Sequence, residues 1–155
     1  MLRLDPKLSL AFYNRAVAYA AKGDNDRAIA DYTEAIKIDP ANAYAWNNRC
    51  RVRAIAGQQL QEALMDCNEA LRLRPHEALY LDSRGLTYLK LRQFDKAIAD
   101  YDAALTLNPQ LASSRYGRGI ARRQKGDLVG GDVDTAAAKA IKANIAEQYA
   151  QYGIE

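Results

Sequence analysis

Between Ser9 and Pro40 the pattern of apolar and polar positions follows a helical rhythm, not a strand rhythm. Phe12, Arg15, Ala16 and Tyr19 stand at i, i+3, i+4 and i+7, and Ala28, Ile29, Tyr32, Ala35 and Ile36 resume that spacing after a break at "KGDN". Two amphipathic stripes parted by a glycine-bearing turn predict a helical hairpin. Equivalent breaks return as "AGQQ", "LRQF" and "KGDL". Three of the four carry Gly, the residue suited to ending a helix at positive φ.

The hairpin is itself a repeated unit. "DNDRAIADYTEAIKIDP" and "QFDKAIADYDAALTLNP" are nearly the same sentence, and the only prolines, Pro6, Pro40, Pro75 and Pro109, are separated by 34, 35 and 34 residues. Small residues keep the same period in three series: Ala16, Cys50, Gly85 and Gly119; Ala28, Ala63, Ala97 and Gly131; Ala35, Ala70, Ala104 and Ala138. Small side chains at fixed places let two helices approach closely. The 35-residue step needs one inserted residue, and the spacing from Gly57 to Ala63 puts it in "GQQLQ". The expected organisation is therefore a tail of a preceding repeat or a linker at 1–8, repeats at 9–42, 43–77, 78–111 and 112–142, and a capping helix at 143–155 carrying Ile145, Tyr149 and Tyr152. The fourth repeat is the most degenerate. Its "GGDVDT" places glycine inside a helix at a cost of about 1 kcal/mol against alanine.

Phe12, Ala16, Tyr19, Gly23, Ala28, Tyr32, Ala35 and Pro40 follow the pattern of the tetratricopeptide repeat family, which the chain resembles over residues 9–142. Other repeats depart from it: Leu81 and Arg115 replace the first aromatic, Arg53 and Arg122 the tyrosine, and Cys67 and Thr135 the second aromatic. The resemblance implies an all-α fold, an α-solenoid of antiparallel hairpins wound into a right-handed superhelix, with the first helix of each repeat lining a concave face. That face would carry Tyr13, Asn14 and Val17, then Tyr44, Asn47, Asn48 and Arg51, then Asp82 and Leu86, and last Tyr116, Ile120 and Arg123. Members that clamp a terminal carboxylate use lysines, asparagines and an arginine. Only Asn48 matches that clamp, since Tyr13, Val17, Leu79 and Ser83 stand at the other places. Asn14 and Asn48 instead resemble two rungs of an asparagine ladder that holds a peptide backbone.

Composition removes several function classes. A chain of 155 residues with 22 Lys+Arg against 19 Asp+Glu carries a net charge of +3, too little to point to nucleic acid or an anionic membrane. No apolar run reaches the length of a membrane span, and "MLRLDPKL" lacks the apolar core of a secretory signal, so a soluble chain is expected, cytoplasmic or periplasmic and secreted alike. His76, the single histidine, lies beside Pro75 in a turn, and no His/Cys/carboxylate cluster has ligand spacing. Neither catalysis nor a metal or other cofactor is expected. Cys50 and Cys67, one on each helix of the second hairpin, read as small buried thiols, with a disulfide the alternative in an oxidising compartment.

Arg15, Arg49, Arg84 and Arg118 precede the small residue of every first helix, and Asp31, Asp66, Asp100 and Asp134 recur in every second helix. Arginine and carboxylate can pair bidentately, so these read as ion pairs that set helix register, with ligand contact as the alternative. The leading functional reading is a protein-interaction module for a protein or peptide. Self-association through an uncovered first hairpin is the second reading, and single-stranded RNA binding is the least favoured.

Overall fold

A computed structural model describes residues 5–155, and these residues form α-helices and turns without a strand. The contacts divide the chain into two units, one ending at Pro75 and one beginning at His76. The first holds α1 (Pro6–Ala21), α2 (Asn25–Ile38), α3 (Ala43–Ala56) and α4 (Leu60–Leu73). The second holds α5 (Ala78–Lys90), α6 (Phe94–Leu107), α7 (Ala112–Gln124), α8 (Leu128–Ile141) and α9 (Ile145–Gln151). In each unit consecutive helices pair as hairpins, α1 with α2, α3 with α4, α5 with α6 and α7 with α8.

The helix ends follow from local chemistry. α2, α4 and α6 each stop two residues before a proline, at Ile38, Leu73 and Leu107, and the residue between is extended, with ψ of 87°, 89° and 93° at Asp39, Arg74 and Asn108. The clash of a proline ring with the preceding residue disfavours the helical conformation there. Lys142 takes the same shape, ψ 102°, with alanine after it, so the fourth break persists without its proline. In the hairpin turns Gly23, Gly57 and Gly126 have φ of 75°, 66° and 94°, and Arg92 takes φ 59° in the one turn that lacks glycine. The inserted residue of the second hairpin shows as Gln59, left-handed at φ 50°. Pro6–Leu8, expected to belong to a preceding segment, form the first turn of α1: the Asp5 side chain accepts from the Lys7 amide at 2.9 Å, and proline opens the helix. Residues 1–4 lie outside the described residues.

In unit 1, Ala16, Ala28, Tyr32, Ala35, Ile36, Ala45 and Val52 form a buried cluster edged by Phe12, Tyr13, Tyr19 and Trp46. In unit 2 the fully buried Tyr101 lies so close to α5 and α7 that a Cβ on Gly85 or Gly117 would come within 2.8 Å or 2.4 Å of its ring. α8 runs unbroken through Gly130 and Gly131. The reason is a reciprocal backbone approach: a Cβ on Gly119 would lie 2.8 Å from the Gly131 carbonyl oxygen, and one on Gly131 2.7 Å from that of Gly119. Close packing of α7 on α8 thus offsets the helix cost of glycine.

The cysteines correct an expectation. Cys50 and Cys67 are fully buried, and they are joined as a disulfide with Cα atoms 5.4 Å apart, not held as two thiols. Placing both at the α3–α4 crossing brings their backbones within bridging range.

Candidate functional site

The repeated Arg and Asp residues meet across each hairpin in four bidentate pairs. Arg15 donates to Asp31 at 2.6 and 2.9 Å, Arg49 to Asp66 at 2.9 and 2.7 Å, Arg84 to Asp100 at 2.7 and 2.8 Å, and Arg118 to Asp134 at 2.8 and 2.7 Å. Hydrogen bonding to its partner holds the Asp31 carboxyl below the usual carboxylate range and raises the Arg84 and Arg118 guanidinium groups. Two of the arginines reach a further helix. Arg49 donates to Thr33 Oγ1 of α2 at 2.9 Å, and Arg118 to Asp102 of α6 at 2.7 Å. One planar fork therefore ties its own hairpin together and fastens it to the preceding one. Arg53 and Arg122, which stand where the repeat pattern has tyrosine, bring a second guanidinium to Asp66 at 2.6 Å and to Asp134 at 2.9 Å. The periodic reading missed this role, although the paired departures from tyrosine in alternate repeats are its signal.

On the first helices of unit 1, Tyr13 and Asn48 meet: the Asn48 amide donates to the Tyr13 hydroxyl at 3.1 Å, and Asn47 donates to Asn48 Oδ1 at 3.3 Å. The Tyr13 ring packs tilted on Tyr32, with centroids 5.9 Å apart. Burial raises the phenol of Tyr13 and pushes that of Tyr32 up to about 12, so both stay protonated donors at neutral pH. Around this pair the surface is open. Asn14 is exposed, Val17 keeps 41% and Tyr44 53% of their accessible surface, and Arg51 is half-buried. Arg74, absent from the sequence reading, lies 5.0 Å over the Tyr44 ring and donates to its hydroxyl at 2.5 Å. Asn47 does not belong to this open surface, because its side chain is turned into the packing and buried.

Unit 2 differs in exposure at four of the residues expected on the open face. Asp82, Leu86, Tyr116 and Ile120 are all buried. Asp82 accepts from the buried Ser114 hydroxyl at 2.6 Å, which pairs α5 with α7. Tyr116 packs on Tyr149 of α9 at 4.9 Å between centroids. Arg123 is exposed, yet its guanidinium is paired with Asp132 of α8, so it is directed at the second helix of its hairpin. No helix among the described residues is long and apolar enough to cross a membrane.

The tetratricopeptide repeat family model matches residues 9–42 and 83–111. Hsc70-interacting protein 1 of Drosophila melanogaster is 40% identical over 81 residues, covering 52% of this chain and 22% of that protein. Tetratricopeptide repeat protein 13 of Homo sapiens is 27% identical over 133 residues, covering 83% of this chain and 15% of that protein. The chain thus spans less than a quarter of either relative. Among solved structures, the first TPR of Spaghetti (RPAP3) bound to HSP90 peptide SRMEEVD superposes with a TM-score of 0.74 at 23% identity, covering 81% of this chain and 99% of the other. The fold class is the all-α solenoid of antiparallel hairpins that the repeat predicts.

Proposed function

We infer that this chain, which belongs to the tetratricopeptide repeat family, is a non-catalytic protein-interaction module that takes up a peptide or partner segment on the first helices of its hairpins. The observation that carries this reading is the surface of α1 and α3. Val17 and Tyr44 stay open to water beside the hydrogen-bonded Tyr13–Asn48 pair, with Asn14 and Arg51 alongside. Apolar side chains next to held amides suit an extended backbone, and a scaffold already ordered loses little entropy on binding. Tyr and Arg are the side chains that most often carry interface energy. The HSP90 peptide on the Spaghetti structure and the name of the Drosophila relative support a peptide as the class of ligand. A clamp for a terminal carboxylate is not part of the proposal, because Tyr13, Val17, Leu79 and Ser83 replace its cations and amide.

The test is a partner captured from the source cell and then titrated against the double variant Asn48→Ala with Arg51→Ala. A variant that keeps its circular dichroism spectrum should lose at least about 1–2 kcal/mol of affinity. Unchanged affinity would remove the site from α3. A second reading, self-association, is favoured by α1, where Leu8 and Leu10 are exposed and Leu8, Ala11, Phe12 and Arg15 line an open hollow. Light scattering over a concentration series separates the two.

A further inference from the structure

In unit 2 two residues that match the open Val17 of unit 1 are buried. Val17 of the first repeat is 41% exposed, but Leu86 and Ile120, at the same repeat position, are 1% and 7% exposed. Tyr116 and Ile120 stand four apart on α7, and Leu86 and Lys90 four apart on α5, so each pair forms a stripe along one helix face. Residues 149–154 touch both stripes. Tyr149 packs on Tyr116 and donates its hydroxyl to the Ser113 carbonyl at 2.7 Å, and the Lys90 ammonium donates to the carbonyl of Tyr152.

The path of this segment is set by its own sequence. Gly153 at φ 72° ends α9 in a left-handed turn, its amide bonds to the Ala150 carbonyl at 2.9 Å, and the Ile154 amide returns to the Tyr149 carbonyl at 3.1 Å. Tyr152 is braced against Tyr149, with centroids 5.6 Å apart, and its hydroxyl accepts from Gln148 at 2.7 Å. The turn leaves Ile154 buried. Burial also lowers the Lys90 ammonium from its ordinary range.

We propose that Tyr149–Ile154 is a resident ligand of unit 2, seated where a partner peptide binds. The partner that fits this surface is a segment with two aromatic side chains followed, past a glycine turn, by an aliphatic one. Its backbone carbonyl is received by the Lys90 ammonium. The proposal rests on the peptide-binding reading and extends it: one unit offers an open surface, and the other exchanges its own tail for a competitor of the same chemistry. Apparent affinity for such a competitor is reduced by the fraction of molecules whose tail is seated.

The probe is a fluorescent, acetylated peptide with the sequence of residues 148–155, titrated by anisotropy against the 155-residue chain. The double variant Tyr149→Ala with Ile154→Asp should bind it at least about tenfold more tightly than the unsubstituted chain, the factor expected if the tail is seated in nine molecules of ten. Adding Lys90→Gln should remove most of that gain. Equal affinity of the unsubstituted chain and the double variant, or a gain untouched by Lys90→Gln, would overturn the proposal. Should the double variant fail to fold, Ile154→Asp alone is treated with an acylating reagent and Lys90 modification is followed by mass spectrometry. Release of the tail speeds it several-fold, and an unchanged rate rejects the idea. Because the probe is the chain's own sequence, this outcome is independent of whether Asn48 and Arg51 bind a partner.

Discussion

Asp66 is the residue whose loss unit 1 should tolerate least. Its carboxylate receives three guanidinium donors, Arg49 Nε and Nη2 at 2.9 and 2.7 Å and Arg53 Nη1 at 2.6 Å. The three side chains are nearly dry, with 3% of Asp66, 11% of Arg49 and 12% of Arg53 exposed. Hydrogen bonds to charged groups contribute about 1.5–3 kcal/mol each, but three that share one acceptor do not add. Asp66→Ala strands two desolvated cations, and removal of one partner from a buried pair costs about 3–5 kcal/mol, which is the loss expected here. Asp31→Ala is the internal control. The Arg15 side chain is 58% exposed and returns to water when its partner goes, so the loss there should be clearly smaller. Urea unfolding followed by far-ultraviolet circular dichroism measures both, with the slopes compared to check that the unfolded states match. A triple replacement, Arg49→Met with Arg53→Leu and Asp66→Leu, should recover much of the stability, because the charges are then removed together. Equal losses for Asp66→Ala and Asp31→Ala would refute the argument that desolvation sets the difference.

Two other perturbations test the packing. Gly117→Ala puts a methyl group 2.4 Å from Cζ and the hydroxyl oxygen of the buried Tyr101, and should cost about 1–3 kcal/mol in urea unfolding, partly recovered by Tyr101→Leu. A loss within error would show that the ring moves aside freely. Reduction of the Cys50–Cys67 disulfide, whose partners are 17 residues apart in sequence, should lower stability by roughly 3 kcal/mol on the chain-entropy argument. Reductant should leave the variant Cys50→Ala with Cys67→Ala unaffected. A protein shown by mass to be reduced yet unchanged in its urea midpoint would contradict this.

The helical hairpins could be read from the chain because their causes are local. The stripe from Phe12 to Tyr19, the turn glycines and the residues before Pro40, Pro75 and Pro109 each act within a few positions of themselves. The recurrence of Arg15, Asp31 and their counterparts was equally visible, since a stacked repeat presents the same neighbours at every step. What tertiary structure decided concerns contacts that no period contains. Cys50 stands in the place of Ala16, Gly85 and Gly119 and Cys67 in that of Tyr32 and Tyr101, and only the approach of α3 to α4 makes them bonding partners. Arg53 reads as a lost tyrosine until Asp66 is seen between it and Arg49. Val17 and Leu86 occupy one register position, yet one is open and the other covered. A periodic pattern states what each repeat is able to expose. Tyr149 and Tyr152, in a segment outside the period, meet Tyr116 and Lys90 of unit 2, and the turn at Gly153 shapes that segment.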